Sequence, residues 1–398
     1  HTVQGRINIY YGTDKDLKGK TTAADLTAEM LLRGTTKRGY QELRDELDRL
    51  KASVEISNQG PGQALVSVTT TRENFADVLA LIAEVLQRPA FAADQFGLIT
   101  GEHVTSLESQ LQDPQAQAIT ALQRTFKPYP RGDVRYVPTI QEEIALIKKT
   151  KLAEVKKLHQ QLWGASHATA SFVGDFDTEE LKGALETHFG AWKSKKPFKR
   201  IPSTYVKNDP APQVIQTPDK KMAIILAAKT LSVRDDNPEY AGLVIAGYVL
   251  GGGASSRLLT RLRHSGGLSY GAFGGIQASS LDEVGALFGG AILAPENVDK
   301  GMAALLDEIE KLIAKGIPDK ELEDAKAAYI KQTQTQLASD DFVATALANN
   351  LYLGRTMEFS KQLEARIQQL TSADIARALN AHVSAEGLTH ISAGDLPK

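Results

Sequence analysis

Two hydrophobic rhythms share this chain, and they come in clusters. Residues 6–11 (RINIYY) alternate apolar and polar side chains, as a half-buried strand does. Helical spacing follows over 23–32 and 41–50. Two further strands, 53–57 and 64–70, flank a Gln59-Gly60-Pro61-Gly62 turn. Over 74–86 the apolar side chains Phe75, Val78, Leu79, Ile82, Val85 and Leu86 make one helical stripe. Helices are then predicted over 94–111, 115–125, 140–147 and 152–162, followed by a strand over 169–173 and a helix over 178–189. Residues 193–212 (KSKKPFKRIPSTYVKNDPAP) hold prolines and lysines without periodicity and read as a solvated linker.

After the linker the pattern restarts. A strand is predicted over 222–229 and a helix over 240–250. A strand over 286–294 precedes helices over 297–314 and 319–336, then three more helices and a strand over 388–392. Local sequence recurs with it. Arg72-Glu73-Asn74 matches Pro295-Glu296-Asn297, the helix opening at Asp94 matches the one at Asp319, and Phe172-Val173-Gly174-Asp175-Phe176 matches Ser392-Ala393-Gly394-Asp395-Leu396. The offset stays at about 220 residues, the mark of an internal repeat. The expected fold is α+β: two homologous modules, each a mostly antiparallel sheet faced by helices. Residues 1–192 form the first, 193–212 the linker and 213–398 the second. Strands in clusters argue against a doubly wound sheet.

With 398 residues, 42% hydrophobic and 24% charged, the chain can bury a sizeable core. A formal net charge of -2 gives no electrostatic case for nucleic acid. The lack of cysteine excludes disulfides, thiol nucleophiles and thiolate metal sites. No apolar run approaches the roughly 18 residues of a membrane span, so no membrane role is expected. The sequence opens on His1 with no visible signal peptide, which suggests a processed product or a piece of a longer chain.

The candidate chemistry centres on residues 251–275 (GGGASSRLLTRLRHSGGLSYGAFGG). The stretch reads as loop, short helix capped by Ser255-Ser256, tight turn at Gly266-Gly267, and strand. Arg263 closes the helix and Tyr270 lies in the strand. A guanidinium and a phenol converging across such a turn can hold a developing oxyanion. Spacing alone leaves the alternative open: a solvated arginine and a half-buried tyrosine.

Other motifs fail on position. Gly19-Lys20-Thr21-Thr22 lacks the glycine a phosphate-binding loop needs, which here is Asp14. Gly251-Gly252-Gly253 follows a helix, unlike a dinucleotide fingerprint. Gly267-Leu268-Ser269-Tyr270-Gly271 spells a nucleophile elbow in the wrong order, helix to strand. No two histidines stand at i, i+4, and Glu102-His103 is a weak metal hint alone.

The run Ala24-Asp25-Leu26-Thr27-Ala28-Glu29-Met30-Leu31-Leu32-Arg33-Gly34-Thr35 resembles the signature helix of the pitrilysin/insulinase metallopeptidases (inverzincins), H-x-x-E-H-M-x-F-x-G-T. Aligned on Met30, Gly34 and Thr35, Asp25 and Glu29 stand at the two zinc histidines and Ala28 at the catalytic glutamate. Glu102 stands near the family's further glutamate ligand. Leu250-Gly251-Gly252-Gly253 and Ser255-Ser256-Arg257-Leu258 are similar to the family's late motif, and Arg263 and Tyr270 match its Arg and Tyr. The likeness also takes in Asp133-Val134-Arg135-Tyr136 and the closing Gly394-Asp395.

The resemblance implies one half of a clamshell peptidase. This chain would bind no catalytic zinc and need no cofactor. Zinc would belong to a homologous partner half, and Arg263 and Tyr270 would hold the scissile carbonyl of a peptide added to a sheet edge. A non-enzymatic scaffold or interaction subunit is the rival reading. The implied compartment is the periplasm, with the cytoplasm as alternative.

Overall fold

The computed structural model describes residues 1–207 and 210–396. The first module opens with β1 (Thr2–Tyr10), α1 (Asp14–Leu17), α2 (Thr21–Met30) and α3 (Tyr40–Arg49). The hairpin β2 (Ser53–Gly60) and β3 (Gln63–Thr71) follows, then α4 (Phe75–Gln87), α5 (Ala93–Gln110), α6 (Pro114–Phe126), α7 (Ile140–Lys149) and α8 (Leu152–Leu162). It ends with β4 (Ala168–Gly174) and α9 (Thr178–Phe189). The second module runs through β5 (Gln213–Gln216), β6 (Ala223–Leu231), α10 (Tyr240–Gly247), α11 (Arg257–Leu259), β7 (Ser269–Ala278) and β8 (Gly285–Leu293). It closes with α12 (Val298–Lys315), α13 (Asp319–Leu337), α14 (Asp340–Leu353), α15 (Glu358–Gln369), α16 (Ser372–His382) and β9 (Thr389–Gly394).

The repeat is visible in the sheets. The first has strand order β2-β3-β1-β4 and the second β5-β9-β6-β8-β7, so β7-β8-β6-β9 repeats β2-β3-β1-β4. Both are antiparallel except where β5 pairs parallel with β9. Sequence reading misses α1 and β5, each only four residues long.

Burial follows the pattern of each element. In β3 the buried residues alternate strictly, so one face is covered. In β6 (AIILAAKTL) eight of nine residues are buried, because helices cover both faces. Part of that cover is exchanged between modules. Ala118 of α6 packs on Ile224, Leu226, Ile391 and Ala393 of the second sheet. In return α14 lies on the first sheet. There the Ser171 hydroxyl donates to the Ala344 carbonyl at 2.7 Å, and Arg6 donates to Thr345 at 3.2 Å and pairs with Asp341. The helices lent, α6 and α14, occupy equivalent places in the repeat.

The connecting segment is not a free solvated linker, as its composition suggests. Both terminal nitrogens of Arg200 reach Asp282 at 2.8 Å, the Ser203 amide donates to the same carboxylate, and Arg135 donates to the Pro202 carbonyl at 2.6 Å. Of that segment, 208–209 lie outside the described residues. Among the described residues, Tyr240–His264 is the one stretch long and apolar enough for a membrane span. Here it is core: Ala241, Leu243, Ile245, Ala246, Val249, Leu250, Leu258 and Leu262 belong to the second module's hydrophobic cluster, and the helix is broken near Gly253.

Candidate functional site

The late stretch forms much as its residues suggest, with three differences. α10 continues into a π-helical turn, Tyr248–Gly252, and α11 into another, Thr260–His264, which carries Arg263. Ser256 stands at the N-cap of α11 but its side chain accepts no capping hydrogen bond, and its Oγ is buried without a partner among the described residues. Gly251 is demanded by packing: a Cβ there would lie 2.1 Å from the Gly274 nitrogen of β7.

The turn between Arg263 and Tyr270 is closed by backbone hydrogen bonds. The Gly267 amide donates to the Arg263 carbonyl at 3.2 Å, and the Leu268 amide to the Leu262 carbonyl at 2.8 Å. Gly267 takes φ 58°, the left-handed value a helix-ending glycine supplies. β7 is an edge strand, and its pairing with β8 slips between Ser269 and Gly271. Tyr270 is the extra residue of that β-bulge, a feature that re-aims a side chain. It is 61% exposed, and Arg263 is exposed too. Among the described residues neither side chain makes a hydrogen bond or ion pair.

The segment that resembles the metal motif forms a regular helix with different chemistry. α2 carries Asp25, Ala28 and Glu29, with Ala28 fully buried. The Tyr11 hydroxyl donates to the Asn58 carbonyl oxygen at 3.0 Å, and the Asn58 amide nitrogen donates to Asp25. Burial is the main cause that pushes the Asp25 carboxyl up to about 6. The negative Glu143 and Glu29 add to it, while Asn58 and His103 oppose it. Glu143 is raised as well, by burial, with the Thr22 hydroxyl 3.2 Å away.

Glu102, expected near the place of the third ligand, turns away to Arg33 at 3.0 Å. Its neighbour His103 reaches Glu29 at 2.5 Å instead, and that hydrogen bond raises the imidazole pKa. Sequence reading passed over the His103 contact, as well as Asn58 and Glu143. Nothing in local spacing signals them, since each comes from a different element. Among the described residues no three His, Cys, Asp or Glu side chains converge as a metal-ligating group. The residues present therefore do not fit a catalytic zinc: they offer carboxylates already committed to Asn58 and His103, and alanine where a general base is needed.

Residues 149–329 match the family model described as the peptidase M16 inactive domain. That stretch of the chain is thus similar to a peptidase M16 inactive domain. These are the pitrilysin/insulinase relatives that the sequence resembles, and the chain is akin to the non-zinc type. Over 374 residues the chain is 21% identical to the non-peptidase homolog YmxG of Helicobacter pylori, covering 94% of this chain and 84% of that one. Its fold is similar to that of the peptidase M16 inactive domain from Pseudomonas fluorescens, with a TM-score of 0.85 and 21% identity over 100% of this chain and 93% of that one. It is also similar to the periplasmic protease PqqL from Escherichia coli, with a TM-score of 0.73 and 16% identity over 100% of this chain but 43% of that one. An inactive M16 domain accords with a chain that holds no catalytic zinc of its own.

Proposed function

We propose that this chain is the non-zinc half of an M16-type metallopeptidase, and that Arg263 and Tyr270 hold the scissile carbonyl of a peptide opposite a partner's zinc. One observation carries the reading. Two hydrogen-bond donors without an assigned partner stand in solvent on a turn fixed by backbone hydrogen bonds, beside an edge strand, in a chain whose metal motif has lost its chemistry. A preorganised donor spends nothing on reorganisation when charge develops on the carbonyl oxygen. The open edge of β7 suits main-chain pairing with an extended peptide, which gives loose sequence selectivity.

In this reading the partner is a homologous zinc-bearing half, and zinc there activates the water. The reading fits the length of PqqL, of which this chain spans 43%. The unit boundaries proposed are 1–192 and 213–398, joined by 193–212. A periplasmic location is proposed in keeping with the relative described as periplasmic, the cytoplasm being the alternative. A non-enzymatic scaffold or interaction subunit is favoured by one fact, the similarity to a protein named a non-peptidase homolog. The test is to assay peptide cleavage by a complex of this chain with a zinc-bearing half, with Arg263→Ala or Tyr270→Phe introduced. Turnover falls in both variants if the reading is right. Wild-type turnover in both sinks it.

A further inference from the structure

We propose that Asn297 is a positioning residue for Arg263 and Tyr270, acting through the Leu268 carbonyl. The inference rests on the reading of the pair given above. Asn297 is the last residue of a 3-10 turn, Pro295–Asn297, that runs into α12, and its backbone is already helical. Its side chain makes no capping bond to the helix's own amides. Instead its amide nitrogen donates to the Leu268 carbonyl at 3.3 Å, across to the turn.

Leu268 lies between the two functional side chains. Its amide is tied to Leu262, next to Arg263, and its carbonyl to Asn297. The first bond fixes how the π-helical turn ends, and the second fixes how β7 leaves it. The β-bulge follows at once, so the aim of Tyr270 depends on where Leu268 and Ser269 are held. Misplacement of reacting groups by about 1 Å can cost on the order of 10²-fold in rate.

The repeat supplies an internal comparison. Asn74, the counterpart of Asn297 at the start of α4, likewise makes no cap of its own. It donates to the Leu50 carbonyl at 3.0 Å, just before the edge strand β2. The fold thus uses this clamp twice. Only in the second module does the clamped turn carry an arginine and a tyrosine with no assigned partner.

Asn297→Asp keeps the size of the side chain and removes the donor, Asn297→Ala does so without adding charge, and Asn74→Asp is the matched control. In the complex with a zinc-bearing half, both Asn297 variants are expected to lower kcat by about 10- to 100-fold with KM within about twofold. Asn74→Asp leaves kcat unchanged. In the chain alone, amide exchange over 265–271 accelerates in the Asn297 variants and not in Asn74→Asp. Wild-type kcat in the Asn297 variants, with Arg263→Ala and Tyr270→Phe impaired, overturns the positioning role and spares the reading of the pair. Accelerated exchange with wild-type kcat makes the clamp merely structural and overturns it too. If Arg263→Ala and Tyr270→Phe also turn over normally, both fall together.

Discussion

Tyr10, in the central strand β1, stacks on Tyr352 of α14 with ring centroids 4.2 Å apart and planes 12° from parallel. One ring belongs to the first module and the other to the second. Tyr10 is buried and Tyr352 half-buried, and burial is the main cause that raises the Tyr10 phenol to about 12. Together with Arg6, Ser171 and Ala118 it means that each sheet borrows a helix from the other module.

The exchange predicts one cooperative unfolding transition for the whole chain. Ala118→Leu in α6 and Ala344→Leu in α14 both overpack a fully buried position on a helix that packs against the other module's sheet. Each is expected to cost about 1–3 kcal/mol and to lower the same single transition. Calorimetry checks this; two separate transitions, with one variant shifting each, would contradict it.

How much of this could be read beforehand differs by element. The stripe of α4 and the alternation of β3 are properties of one segment, and both were legible. Helical spacing says which face of α6 or α14 is buried but not against which sheet, so the exchange was not. The strand β5 (QVIQ) is too short to show a period. The pinned connector depends on Arg200 meeting Asp282, 82 positions away. At the site, the placing of Arg263 at a helix end and Tyr270 in the strand after it was legible, whereas the bulge that aims Tyr270 comes from pairing register. Glu102 and His103 are adjacent, and about 100° of helical rotation sends one to Arg33 and the other to Glu29.

Asp25 makes a pH prediction. Its folded-state pKa of about 6 lies above the ordinary 3.8, so the folded state binds this proton more tightly than the unfolded chain. Stability from this group is fully present below the ordinary value and is lost as pH rises through 6. Asp25→Asn keeps an acceptor for Asn58 and removes the charge. It is expected to stabilise the chain at pH 7 by about 1–3 kcal/mol and to have little effect at pH 3.5. Denaturant melts at both pH values check the sign.

His159 acts in the opposite sense. Burial pushes its imidazole down to about 4, and it contacts the Leu86 carbonyl at 2.7 Å. Its contribution is present above the ordinary 6.5 and is lost as pH falls through 4. His159→Gln is expected to lower stability at pH 7 by about 1–3 kcal/mol and to flatten the acid limb of the stability curve. An acid limb as steep as wild type would contradict the assignment.

Arg263→Ala and Tyr270→Phe remove exposed groups and are expected to leave stability within about 0.5 kcal/mol. Each is expected to lower turnover of the assembled peptidase by on the order of 10²–10³-fold. Zinc content of the partner, measured by metal analysis, stays unchanged.

The most direct measurement is cleavage of a quenched fluorescent peptide by this chain alone, by a zinc-bearing homologous half alone, and by the two together. Cleavage only in the mixture, abolished by a chelator, is the predicted result. Cleavage by this chain alone would contradict the account of Asp25, Ala28 and Glu29. A stable complex that cleaves nothing would contradict the role given to Arg263 and Tyr270.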